Sequence, residues 1–459
     1  MRIPVGIPQF FFDDTLIADQ RRLVRRWLPA SVFANPVVEP DRPWEGRIVA
    51  MLGAVLPESD GGFRMYYAGF TPGALPFTRS LVCFSEDGFH WRKPELGILD
   101  WNGDFANNLV LSPEWHTDSP CVIHDTDDEQ FPYKLIAFQC DDPSRFYKSP
   151  NCGMYGWKSS DGLRWTKFPG QLLRAGDRSG MMTTKPNGKF SLYTRRYDMF
   201  ERIGVRAIFR SESDDFVTWT DPELALAPDL NDEPDVEFYG MSVFERNGWY
   251  LGLLEYWKRQ IDIAEIHLAF SRDGKTWMRP YPRAPFIANA CYWNKASMNC
   301  ANNGPILINE QMVFYFGGRP IAHNYDSAHQ YGAIGYASLP IDRFCAIEGA
   351  GDGQLTTAPL EWPDAELILN ADTRESFASH PLAIDGEITV EVLGAGGDPL
   401  PGWNGDQRAI FSGNTHCRCR IFDGTVRWPS GQGLREMRGR TIRLRFHLRH
   451  ARLFTIEAR

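Results

Sequence analysis

Ser85-Glu86-Asp87-Gly88-Phe89-His90-Trp91 is a phrase that recurs along the chain. It returns as Ser159-Ser160-Asp161-Gly162-Leu163-Arg164-Trp165 and again as Ser271-Arg272-Asp273-Gly274-Lys275-Thr276-Trp277. A looser copy is Ser213-Asp214-Asp215-Phe216-Val217-Thr218-Trp219, and a degenerate echo ends at Asp342-Arg343-Phe344. The aspartates Asp87, Asp161, Asp215, Asp273 and Asp342 stand 54 to 74 residues apart. That interval fits one four-stranded blade per repeat. Five such turns predict an all-β chain whose residues 1–345 form a five-bladed β-propeller.

Working outward from each turn gives the blades. An apolar strand comes first, then a turn with Gly, Asp or Asn, then an aromatic-rich strand such as Phe190–Arg195, then the strand ending in the Asp-Gly turn. β-branched and aromatic residues between such breaks read as strands. The tryptophans after the turns are expected to pack between blades. Phe10-Phe11-Phe12 through Ile17 reads as one extra strand that pairs with a late blade and closes the ring.

Past Phe344 the texture changes. Residues 346–355 hold a Gly-rich stretch, Glu348–Gly353, that reads as a linker. Beyond it, Ile388, Val390 and Val392 alternate with charged or polar residues, as do Ile442, Leu444, Phe446 and Leu448. Period-two alternation marks half-buried antiparallel strands, so residues 356–459 are expected to form a small β-sandwich. The intervening arginines read as a solvated face.

The chain has 459 residues, net charge -9, 15 Trp and nine Cys. The acidic balance argues against a nucleic-acid groove. No apolar run is long enough to span a membrane, and the N-terminus lacks a signal-peptide pattern. The cysteines show no Cys-x-x-Cys pair, so free thiols and a cytoplasmic location are expected. No metal or cofactor is expected, because no His/Cys ligand spacing stands out. Oligomeric state stays open, a homo-oligomer included.

In a propeller the first strand of each blade faces the axis, so polar residues just before those strands converge. Blade 1 offers Trp44 and Glu45, blade 2 Asp118, blade 3 Asp177, and blade 4 Asp235 and Glu237. Blade 5 offers Trp293 and Asn294 in place of an acid. Carboxyl groups crowded in a confined site can be pushed apart in acidity, producing an acid and a base. Glu237 is the candidate acid, with Asp118 or Asp177 as nucleophile, base or charge stabiliser. Arg195, Arg319 and His323 are candidate binding residues.

Several phrases carry a resemblance: Phe12-Asp13-Asp14, Pro43-Trp44-Glu45-Gly46, Trp91–Gly97 with Asn107–Leu111, Phe238-Tyr239-Gly240-Met241, Tyr315-Phe316-Gly317-Gly318 and Leu339–Phe344. On these the chain resembles the five-bladed propeller glycosidases of families 32 and 43, and more closely a bacterial family-32-like group. The resemblance implies the same propeller and sandwich, and a carbohydrate role. The Trp-Met-Asn-Asp-Pro, Arg-Asp-Pro and Glu-Cys motifs of invertase-type enzymes are absent, so it transfers no catalytic residue. The expected activity is hydrolysis of a glycosidic bond in a small oligosaccharide or glycoside by two carboxyl groups. Two alternatives stand beside it. One is a glycoside phosphorylase, with Arg178, Arg195, Arg319 and His323 around phosphate. The other is a non-catalytic carbohydrate-binding propeller.

Overall fold

The computed structural model describes residues 1–71, 78–112, 116–141, 149–196, 204–322, 330–373, 386–415 and 424–459. Its contacts divide into two compact units, residues 30–338 and residues 1–29 with 339–459.

Residues 30–338 form five antiparallel sheets, one per repeat, and so a five-bladed propeller. Blade 2 is His116–His124, Tyr133–Cys140, Gly153–Ser159 and Thr166–Lys167. Blade 3 is Gly180–Met181, Phe190–Thr194, Ile208–Ser213 and Glu223–Leu226. Blade 4 is Val236–Arg246, Trp249–Lys258, Ile263–Ser271 and Pro285–Ile287. Blades 1 and 5 have inner strands in two pieces. These are Ile48–Ala50 with Val55–Pro57, and Ser297–Cys300 with Ile306–Ile308. Ser31–Val32 pairs with Ala337 and Ser338 as the outer strand of blade 5.

That last pairing corrects the expected closure. Gln9 and Phe10 pair instead with Ile456 and Thr455, and Ile17–Arg21 with Gly353–Thr357, all inside the other unit. Phe10, Phe11 and Phe12 are consecutive and all buried. An outermost blade strand is half exposed and cannot cover both faces of such a run.

The repeated phrase is a turn that also locks blades together. In the copy at Ser271, the serine Oγ accepts the Gly274 N–H at 3.0 Å, and the Asp273 carboxylate accepts those of Lys275 and Thr276 at 2.8 and 2.7 Å. Gly88, Gly162 and Gly274 have φ of 82, 72 and 69°, a region open to glycine at no steric cost. There is a second reason for glycine. The hydroxyls of Tyr66, Tyr193 and Tyr315, each from the preceding blade, donate to the carbonyls of Gly162, Gly274 and Gly88 at 2.9, 2.9 and 2.7 Å. A Cβ on Gly162 would sit 2.6 Å from the Tyr66 hydroxyl. The same tyrosines meet Trp165, Trp277 and Trp91 edge-on, with ring centroids 6.3, 5.8 and 5.7 Å apart. The loose third copy lacks this latch. Phe216 takes the glycine's place at φ 69° and packs in one apolar cluster with Ile136 and Phe190.

The second unit is a sandwich of two sheets. Its core takes Ile388, Val390, Leu444, Phe446 and Leu448 from one sheet and Leu367, Leu369, Leu453 and Ile456 from the other. The alternation in the sequence is thus the alternation of burial. The stretch expected as a linker belongs to this unit, because Cys345–Gly349 and Gly353–Thr357 are strands. The glycines there make the turn between strands rather than a spacer, so the expected limits at 345 and 356 do not coincide with the contact boundary. Cys140 and Cys152 are disulfide-bonded, which corrects the free-thiol expectation for that pair. The hairpin of blade 2 brings their Cα atoms to 4.2 Å.

Candidate functional site

Two inner strands carry a bulge. In blade 2, Asp118 pairs with Phe138 but Cys121 pairs with Ile136, so Ser119 and Pro120 face one residue. Ser119 takes φ 50°. In blade 4, Phe238 pairs with Tyr256 and Gly240 with Glu255, which leaves Tyr239 as the extra residue. Bulges bend a strand and re-aim side chains, often beside functional sites.

Tyr239 is the hub of what these strands bring together. The Arg195 guanidinium lies 4.6 Å from its ring centroid and is ion-paired with Asp177. Arg206 lies 5.8 Å from the same ring and 4.6 Å from that of Trp257. Arg206 and Arg259 donate to the two oxygens of Glu237 at 3.0 and 3.2 Å. Arg319 has Asp118 and Tyr239 within electrostatic reach, and burial lowers its pKa. Its Nε is buried and has no hydrogen-bond partner. Asp118 is half-buried and accepts the Ser119 hydroxyl at 3.0 Å. Among the described residues it makes no ion pair. Asp177, Arg195, Arg206 and Glu237 are therefore linked at one tyrosine, from blades 3 and 4, and Arg319 of blade 5 couples electrostatically to both that tyrosine and Asp118 of blade 2.

Four other selected residues are core. Glu45 is fully buried, and its oxygens accept the Asp41 and Arg42 N–H groups and the Tyr67 hydroxyl, with Lys93 at 2.7 Å. The Trp44 Nε1 donates to Asn108 Oδ1 at 2.6 Å. Trp293 stacks on Phe316 at 5.1 Å and donates to the Ala34 carbonyl at 3.1 Å. Asn294 Oδ1 accepts the Cys291 N–H at 2.8 Å. The cause is one repeated device: Pro43–Glu45 and Tyr292–Asn294 are 3-10 turns ahead of the inner strands. Their third side chain accepts a backbone N–H at the turn's start, work that a carboxylate or an amide does equally well. The matching Trp-Glu and Trp-Asn pairs were the signal for this. Asp235 is half-buried and accepts the Gln260 N–H at 3.0 Å, closing the end of a hairpin. His323 lies outside the described residues.

Sequence reasoning did not single out Arg206, Arg259, Tyr239 or Glu255. Glu255 explains Arg178, which the phosphorylase alternative had placed near phosphate. Arg178 Nη2 donates to Glu255 Oε1 at 2.6 Å and to the Cys300 carbonyl at 2.9 Å. The Cys300 N–H in turn donates to Glu255 Oε1 at 2.9 Å. Burial works against the Arg178 charge, yet Glu255 raises its pKa above the usual value. This buried pair joins blades 3, 4 and 5 and has no hand free for a ligand.

No protein-family model and no curated protein matches the chain. Solved structures do match. One is beta-1,2-mannobiose phosphorylase from Listeria innocua, 13% identical, covering 68% of this chain and 97% of that one, with TM-score 0.47. Another is a glycosyl hydrolase from Bacteroides ovatus, 14% identical, covering 69% and 95%, with TM-score 0.47. A third is an N-acetylgalactosamine deacetylase from F. plautii, 14% identical, covering 74% and 96%, with TM-score 0.44. None of the three is described as an invertase, fructanase or arabinanase, so the expected kinship with families 32 and 43 gains nothing from them. At these identities and scores they assign neither a reaction nor a residue.

Proposed function

We propose that the protein is a carbohydrate-active enzyme that cleaves a glycosidic bond of a small oligosaccharide or glycoside at the cluster around Tyr239. One contrast carries this reading. Asp177 and Glu237 are held by guanidiniums, while Asp118 makes no ion pair among the described residues. Glycoside cleavage needs one carboxyl to protonate the leaving oxygen and another, ionised, to act at the anomeric carbon. Asp118 takes the first role, and Glu237 or Asp177 the second. This exchanges the roles expected from sequence, because arginines engage both oxygens of Glu237 whereas Asp118 has no such partner among the described residues. Asp118 gives its proton to the glycosidic oxygen as the C–O bond breaks. Water adds to the anomeric carbon and passes its proton to the paired carboxylate.

Arg319 favours a second reading, phosphorolysis. A guanidinium whose Nε is buried without a partner suits an oxyanion. Phosphate bound there would attack in place of water and offset the positive charge beside Asp118. The test is turnover of aryl glycosides and short oligosaccharides, with and without inorganic phosphate, by the wild type and by Asp118→Asn. Loss of turnover in a folded Asp118→Asn supports the acid role, and full turnover sinks it. Turnover only with phosphate selects phosphorolysis. Binding without turnover in the wild type returns the propeller to the non-catalytic alternative.

A further inference from the structure

The sandwich carries a cavity of its own, about 270 Å³, on the outward face of its six-stranded sheet. Strand register builds it. Thr389 lies opposite His447, and Glu387 lies opposite Arg449. Asp352 and Arg408 complete the wall. Thr389 is only 3% exposed, and its Oγ1 has no hydrogen-bond partner. A buried hydroxyl left unpaired costs about 1–3 kcal/mol, and native structures rarely leave one without a water or ligand. Arg408 is exposed, and its guanidinium makes no hydrogen bond or ion pair among the described residues.

The charges say what kind of ligand fits. Arg449 is 3.2 Å from Glu387, and His447 is 3.5 Å from Glu391. The wall therefore alternates donors and acceptors with little net charge. A charged ligand would meet a like charge on one side. A neutral polyhydroxyl ligand meets guanidinium donors, carboxylate acceptors and a hydroxyl that does both. We propose that this cavity binds a single neutral sugar unit, separately from the cluster around Tyr239. The volume lies just below the ~300–1,000 Å³ of drug-sized sites, which suits one ring. The inference stands whether or not the propeller is catalytic.

Saturation-transfer NMR on the full chain tests it, with the methyl glycosides of glucose, mannose, galactose and N-acetylglucosamine as probes. At least one is expected to bind, and to bind roughly fivefold to tenfold more weakly in Thr389→Val and in Arg408→Ala. Its binding is expected to persist in Tyr239→Ala. Arg408 is exposed, so its variant keeps the fold secure. The proposal is overturned if no probe weakens in either variant, or if all binding vanishes in Tyr239→Ala. It is also overturned if Thr389→Val raises the melting temperature without changing binding, which would mean that the hydroxyl serves only a trapped water.

Discussion

The hydroxyl of Tyr193 in the third blade donates to the carbonyl oxygen of Gly274 in the fourth, 2.9 Å away. The bond spans two blades, and both of its ends are buried. Tyr193→Phe removes the donor and leaves the ring in place. The expected loss is about 1 kcal/mol, read as a lower urea midpoint with an unchanged slope. Tyr66→Phe and Tyr315→Phe should cost the same. No shift in any of the three would show that the latch adds nothing to stability.

Arg178→Met should be far more damaging. It strands the Glu255 carboxylate in the interior, and breaking a buried pair costs about 3–5 kcal/mol. The double variant Arg178→Met, Glu255→Leu should recover part of that loss, since neither charge then stays buried alone. Additive losses in the double-mutant cycle would contradict the pairing.

Acid should weaken the motif turns. The N–H groups of Thr218 and Val217 hold Asp215 down to about 2, and Asp273 is held to about 2, chiefly by the Thr276 N–H. Both folded values lie below the unfolded ~3.9. Their contribution is therefore full above pH ~4 and is lost as pH falls toward the folded values. Denaturant midpoints measured across that window should fall less steeply for the double variant Asp215→Asn, Asp273→Asn. An unchanged slope would mean the turns do not contribute.

Reductant should lower stability through blade 2. The Cys140–Cys152 bond closes a short loop, with a sequence separation of 12, and bonds of this kind contribute about 2–4 kcal/mol. The variant Cys140→Ala, Cys152→Ala should be insensitive to dithiothreitol and no more stable than the reduced wild type.

The ring was legible because Ser-x-Asp-Gly fixes a turn by its own hydrogen bonds, independent of anything distant. The sandwich was legible for the same kind of reason: Ile442, Leu444, Phe446 and Leu448 alternate because one face is buried. The site was legible only in part. Counting back from each turn reached Asp118, Asp177 and Glu237, but in blades 1 and 5 it reached capping side chains in 3-10 turns. Which carboxyl is paired could not be read, because Arg195, Arg206 and Arg259 lie 18, 31 and 22 residues from their partners. Bulges depend on the register between strands, so the re-aiming of Tyr239 left no trace in its own segment.

The missing latch in the third copy of the phrase matters for where the carboxyls sit. Asp118 and Asp177 lie on either side of the joint between blades 2 and 3, where Ile136 and Phe216 meet instead of a tyrosine and a glycine. Apolar contact is non-directional, so register at this joint falls to polar links such as Lys185 of blade 3, which pairs with Asp125 and Asp127 of blade 2. The spacing of two carboxyl groups decides whether a glycosidase retains or inverts configuration. Stereochemical outcome in this scaffold would then depend on the register in which these two neighbouring blades are held as much as on the acids themselves.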